Sequence, residues 1–285
     1  MIRAMFAACR PKQWIKNLLV FVVPLAAGAV FDDGVLGSTL LAFVVFVLGS
    51  SAIYVINDLR DMEEDRRHPV KSRRPIASGS LAVVPARVLA ATTLLLAIAL
   101  PAIFAAWELL WVIVAYLVLQ AAYQLRLKQV VLFDLAVVAT GFVLRAVAGG
   151  AAADIPASVW FLTVTASSAM FIVSAKRFSE ISNHGGDGTT RSTLAGYTPA
   201  YLRTIWASSM VASIVFYALW AAEIGSLRSD HFAVASTVPF ALMMLRYAHH
   251  ADLGDAEAPE DVGVHDRWMQ AMAIVWVALF AAQIP

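Results

Sequence analysis

The chain is short of what a disulfide-stapled, nucleotide-cradling or ordinary soluble domain requires. Cys9 is the only cysteine, which excludes any disulfide within the chain. Asp, Glu, Lys and Arg make up 14% of the 285 residues, well below the fraction of about a quarter usual in soluble globular domains. No GxxxxGK[ST] pattern occurs, so no P-loop is expected. The His residues at 249, 250 and 265 and the acids around them follow no zinc-ligand spacing and read as a polar loop. Linkers, low-complexity runs and short repeats are also missing, which favours one domain over 1–285.

What the chain does have is apolar length. Hydrophobic residues reach 60% and the mean hydropathy is +0.74, values that belong to an all-α integral membrane protein. Windows of about twenty residues place helices near 14–30, 36–56, 82–104, 108–124, 131–150, 156–175, 201–222, 232–248 and 266–284, a bundle of about nine crossings in a lipid bilayer. The charges alternate between the connections. Arg60, Arg66, Arg67, Lys71, Arg73 and Arg74 share one side with Arg126, Lys128, Lys176, Arg177, Arg191 and Arg203. The other side receives Asp32, Asp33, Glu108, Asp154, Glu223, Arg228 and Asp230. The positive-inside rule then puts the N-terminus and the loops 57–81, 124–131, 176–201 and 249–266 in the cytoplasm, with the C-terminus outside the plasma membrane. The opening Arg10-Pro11-Lys12-Gln13-Trp14-Ile15-Lys16-Asn17 reads as an interfacial lead-in to a permanent helix rather than a cleaved signal.

On the cytosolic side, Asn57, Asp58, Asp61 and Asp65 recur at helical spacing, so their oxygens can line one face of about two turns. Carboxylates grouped at a membrane boundary are costly to place without a task. Oxygen ligands suit Mg²⁺, which keeps waters and accepts substrate phosphates. The loop that follows holds Lys71, Arg73 and Arg74 between the helix breakers Pro69 and Pro75. Acid and base within one short segment fit a Mg²⁺-bound diphosphate, the cations covering oxygens that the metal leaves bare.

Two further groups lie on the same side. Tyr123, Arg126 and Lys128 end the fourth expected span, with Asp134 early in the fifth; by themselves they are ordinary interfacial anchors. Lys176, Arg177 and Glu180 close the sixth, where Lys176 and Glu180 are spaced for an intrahelical ion pair. They lead into the glycine-rich stretch 185–191. Arg145 falls inside the fifth span and needs a partner or water there: an acid or carbonyls of a neighbouring helix, with a substrate as the alternative.

These residues together resemble the UbiA superfamily of intramembrane prenyltransferases. The resemblance rests on Asn57-Asp58-x-x-Asp61-x-x-x-Asp65 after the second span, the stretch 71–75, and Tyr123 with Lys128 after the fourth. It implies a helical bundle around a central cavity open to the cytosol, with Asp58, Asp61 and Asp65 as metal ligands and Asp58 and Asp61 in the catalytic role. It also implies a second Asp-rich DxxxD motif after the sixth span, and here the chain departs, reading Lys176-Arg177-Phe178-Ser179-Glu180. Cations in place of carboxylates remove a metal site and install phosphate binders.

That departure resembles one branch of the superfamily, in which decaprenyl phosphate is the acceptor and phosphoribosyl pyrophosphate (PRPP) the donor, feeding cell-wall arabinan. The stretch 10–17, the segment 144–150, Lys176-Arg177, Tyr197, Tyr201 and Pro259-Glu260-Asp261 carry the closer likeness. The substrate-binding set it implies is Lys16, Asn17, Asn57, Lys71, Arg73, Arg74, Tyr123, Lys128, Lys176, Arg177, Glu180 and Tyr197. The expected partners are PRPP, a polyprenyl phosphate and the bilayer, with no nucleic acid. Prenyl transfer to an aromatic acceptor is the alternative. Homo-oligomerisation is left open, since Ala and Gly occupy too many faces to choose an interface.

Overall fold

The computed structural model describes residues 1–184, 196–228 and 231–282. The expected glycine-rich stretch 185–191 and Asp230 lie outside the described residues. Among the described residues all regular structure is helical, and packing divides the chain into two compact units, Met1–Leu125 with Leu144–Pro156, and Arg126–Val143 with Ala157–Pro285.

The first unit opens with α1 (Ile2–Ala8), a 3₁₀ segment Pro11–Phe21 and α2 (Val22–Ala27). The hydropathy window had marked 14–30 as one α-helix. Pro11 instead opens an eleven-residue 3₁₀ run, far longer than the three or four residues usual for that helix. The reason lies in its packing. A Cβ on Gly149 would stand 1.6 Å from the Val20 carbonyl oxygen, so this segment runs backbone against backbone over a position that only glycine can fill.

Next come α3 (Val35–Arg60), α4 (Met62–Arg67), a 3₁₀ turn Lys71–Arg73, α5 (Val83–Ile103) and α6 (Trp107–Leu125). The 26 residues of α3 make a rod of about 39 Å, longer than the hydrocarbon slab of about 30 Å, so a polar end can stand at the interface. Its middle buries Val45 and Phe46 against Leu109, Ile113 and Tyr116 of α6. Leu95 of α5 and Trp111 of α6 stay 66% and 71% exposed, an arrangement that fits a lipid solvent and not water.

The second unit holds the start of α7 (Phe133–Ala153), then α8 (Val159–His184), α9 (Pro199–Arg228), α10 (Phe232–Ala235), α11 (Thr237–Asp252), α12 (Pro259–His265) and α13 (Arg267–Ala282). Its core gathers Leu135, Phe171, Leu202, Trp206 and Tyr247. Tyr217 stacks on Phe240 at 4.1 Å and accepts a hydrogen bond from Trp276 Nε1 at 2.6 Å. All nine expected crossings fall on helical segments, yet six of the described helices are long and apolar enough to cross a membrane: α3 and α5 to α9. The others are the 3₁₀ run with α2, α10 and α11 separated at Ser236, and the 16-residue α13.

Candidate functional site

At the end of α3 the helix does not continue as one rod. Asp61 caps both α3 and α4, so the expected two-turn acidic face bends at that residue. Asp58 and Asp65, 2% and 3% exposed, lie on either side of the bend and converge on one cation: Arg74 Nη1 is 3.1 Å from Asp58 Oδ1 and 2.7 Å from Asp65 Oδ2. Arg10 Nη2 also donates to Asp58 Oδ1. Two buried carboxylates therefore have their charge met by two guanidiniums, each 27% exposed. Charge-assisted bonds of this kind are the strong ones.

Around this cluster Asn57, Asp61 and Lys71 are half-buried and Arg73 is exposed. None of the side chains of Asp61, Lys71 and Arg73 has an ion pair among the described residues. Arg60 Nη1 donates to the Gln124 carbonyl at 2.6 Å, tying the end of α3 to the end of α6, where Tyr123 sits half-buried. Lys16 is half-buried too, as is Lys128 in the second unit.

Asn17, also expected to bind substrate, is 1% exposed and accepts from Arg145 Nε at 2.8 Å. Arg145 Nη2 donates to the Tyr116 hydroxyl at 3.0 Å, and the guanidinium lies 4.9 Å from the centre of that ring. The intramembrane arginine thus meets a neighbouring amide and a phenol. Its motif 144–150 and the opening stretch 10–17 are two halves of one packing unit, Arg145 held by Asn17 and Gly149 lying under Val20.

The second unit carries the other charged group. Arg177, 5% exposed, places Nη1 2.7 Å from Glu180 Oε2 and Nε 3.6 Å from Asp134 Oδ2. Tyr197 donates to Asp134 Oδ1 and accepts the Leu132 amide at 2.6 Å. Leu132 has φ +71°, a strained value for a bulky side chain that the Tyr197 contact holds in place. Burial and the Asp134 carboxylate push the Tyr197 hydroxyl well above its usual value. Lys176, beside this locked group, is half-buried with no ion pair among the described residues.

The segment after α11 is fixed to the end of α8. Ser179 Oγ accepts the Ala256 amide at 3.2 Å, and Asn183 Nδ2 donates to the Gly254 carbonyl at 2.9 Å. Asp266 accepts from Arg246 and His250 and caps α13 through the Trp268 and Met269 amides. Burial raises the pKa of its carboxyl, but those four donors outweigh burial and hold it well below the usual carboxylate range.

Among the described residues no three acid, His or Cys side chains gather to hold an ion. The donor set of the first unit nevertheless fits a hard divalent ion. Two buried carboxylates already converge on a single cationic nitrogen, and carboxylate oxygen is what Mg²⁺ prefers. Arg10 and Asp134 are the participants that the sequence reading left without a functional role. Only their closeness in space to Asp58 and Arg177 marks them, and no local pattern carries that.

This order of apolar helices is that of an intramembrane prenyltransferase fold. The UbiA prenyltransferase family profile matches residues 18–282, and the chain belongs to that family. Among its relatives, the decaprenyl-phosphate phosphoribosyltransferase of Corynebacterium glutamicum is 43% identical over 281 residues, covering 96% of this chain and 84% of that one. The decaprenyl-phosphate phosphoribosyltransferase of Mycobacterium tuberculosis is 40% identical over 293 residues, covering 100% and 95%. Among solved structures, a UbiA homologue from Archaeoglobus fulgidus bound to GPP and Mg²⁺ superposes with a TM-score of 0.68 at 18% identity, covering 99% of each chain. That likeness supports the fold.

Proposed function

We propose that this chain transfers the 5-phosphoribosyl group of PRPP to decaprenyl (polyprenyl) phosphate, releasing pyrophosphate and giving decaprenylphosphoryl-5-phosphoribose, a precursor for cell-wall arabinan. The observation that carries the reading is the pair of buried carboxylates converging on one cation, with Lys71 and Arg73, in the same short segment, free of ion pairs among the described residues. Identity of 40–43% to curated enzymes of that name supports the choice of substrates.

Asp58, Asp61 and Asp65, helped by Asn57, would hold Mg²⁺. When bound, the ion neutralises charge on the departing diphosphate. Lys71, Arg73 and Arg74 take diphosphate oxygens. A lipid phosphate oxygen attacks C1 of the ribose from the face opposite the breaking C1–O bond, which inverts that carbon as pyrophosphate leaves. A phosphate ester is already anionic at pH 7, so no general base is required, and the protein's task is to bring two repelling anions together. Lys176 serves the ribose 5-phosphate or the lipid phosphate. Arg177, engaged by Asp134 and Glu180, positions the end of α8 that presents Lys176, and Tyr197 supports it through Asp134. Asn17 acts through Arg145, while Lys16, Tyr123 and Lys128 flank the head groups. The site faces the cytoplasm, as the basic loops require.

Purified chain with Mg²⁺ should release pyrophosphate from PRPP plus polyprenyl phosphate, and not from a prenyl diphosphate plus an aromatic acid. Turnover with the second pair alone, or undiminished turnover after exhaustive chelation, overturns the proposal.

A further inference from the structure

Arg10 is the cation that no motif reading of the chain places at the acidic cluster, and the fold takes trouble to put it there. Its backbone is left-handed, with φ +52°, a conformation of noticeable cost for a residue with a side chain. Four hydrogen bonds and the following proline hold it. The preceding Cys9 carbonyl accepts from Trp14 Nε1 at 3.0 Å and from Ser51 Oγ at 3.3 Å. The Arg10 amide donates to Ala7, its own carbonyl accepts from Gln13, and Pro11 follows at once with its fixed φ. The result is a guanidinium aimed at Asp58 Oδ1 and lying 4.8 Å from the centre of the Tyr54 ring.

Arg10 and Arg74 are not equivalent. Arg74 is held by both carboxylates, whereas among the described residues Arg10 holds only Asp58. A divalent ion taking that oxygen would meet two guanidiniums on it, and like charges so close must separate. Arg10 is the one with a single ion pair to give up and an aromatic face beside it to rest on. Its backbone is pinned, so the side chain and not the chain moves.

We infer that Arg10 is a donor-positioning residue that holds the Asp58 oxygen until a divalent ion takes it, and then transfers its guanidinium to an oxygen of the incoming diphosphate. This rests on the proposed function, because it needs a metal-diphosphate donor at Asp58. One chemical consequence is specific: Arg10 opposes binding of the metal alone and favours binding of the diphosphate, two effects of opposite sign from one side chain.

The test measures two equilibria on the full-length chain in detergent, apart from turnover. Free Mn²⁺ is followed by electron paramagnetic resonance without donor, and PRPP binding by calorimetry with Mg²⁺ present. Arg10→Gln should tighten Mn²⁺ about tenfold and weaken PRPP about tenfold, each the size of one charge-assisted contact. Arg10→Lys, which keeps the charge, should lie between. Arg3→Gln removes the same charge from an exposed position on α1 and should leave both constants unchanged. Unchanged constants in Arg10→Gln, or a parallel loss of both together with thermal stability, overturn the inference. If Asp58→Asn abolishes Mn²⁺ binding while Arg10→Gln changes nothing, this inference alone fails. If the unaltered chain binds no Mn²⁺, the metal assignment of the proposed function fails and takes this one with it.

Discussion

The two charged clusters of this protein use the same residue types to opposite ends. In the first unit two buried acids are met by arginines that remain 27% exposed, while in the second a single arginine, its side chain 6% exposed, is bracketed by Asp134 and Glu180. Exposure of the cation separates them. A guanidinium in contact with water can let go of a carboxylate and find another anion, whereas one sealed between acids cannot leave without stranding buried charge. The first cluster is therefore built for exchange and the second for fixing helix ends. On the proposed function, Lys176, next to the fixed arginine and free of ion pairs among the described residues, is the cation that the second cluster would offer to substrate.

The sharpest way to break this contrast is to remove one member from each side. Asp58→Asn should lower phosphoribosyl transfer by about a thousandfold, the size of several kcal/mol of charge stabilisation, while the melting temperature in detergent barely moves. Arg177→Met should do the reverse in kind. Stranding two acids should cost about 3 kcal/mol of stability, seen as a clear fall in melting temperature. If Asp58→Asn unfolded the protein and Arg177→Met merely slowed it, the division of labour would be inverted.

Tyr197→Phe sharpens the second cluster further. It deletes the hydroxyl that joins Asp134 to the strained Leu132 amide, and about 1–2 kcal/mol should follow from the unpaired groups. The same hydroxyl has a raised pKa in the fold, so its contribution is complete below about pH 10 and is lost as pH climbs beyond it. Asp266 has the opposite sign. Its depressed pKa supplies stability that is complete above about pH 4 and lost on acidification, and Asp266→Asn should flatten the acid limb of a melting-temperature profile. The smallest effect belongs to Arg203→Ala. Its pair with Asp252 is 56% and 54% exposed, and its loss should stay within about 0.5 kcal/mol in the same melts.

How much of this was legible beforehand depends on range along the chain. Apolar windows located α3 and α5 to α9 because membrane crossing is a local property of about twenty residues. Asp58, Asp65 and Arg74 were legible as one site because they fall within seventeen residues of each other. Arg10 was not, since the contact with Asp58 spans 48 positions and its own neighbourhood looks like an interfacial anchor. The partner of Asn17 was equally hidden. The resemblance carried by stretch 10–17 placed it among the substrate-binding residues, and only the fold shows it bonded to Arg145, 128 positions away. The bend at Asp61 and the long 3₁₀ run escaped too, because both answer to packing and not to local preference.

The glycine under Val20 has a practical corollary. Since Gly149 leaves no room for even a methyl group there, and Asn17 and Arg145 complete one another, the first two dozen residues and the latter half of α7 behave as a matched lock and key. Chimeras that trade N-terminal segments among homologues should assemble only when both pieces come from the same parent.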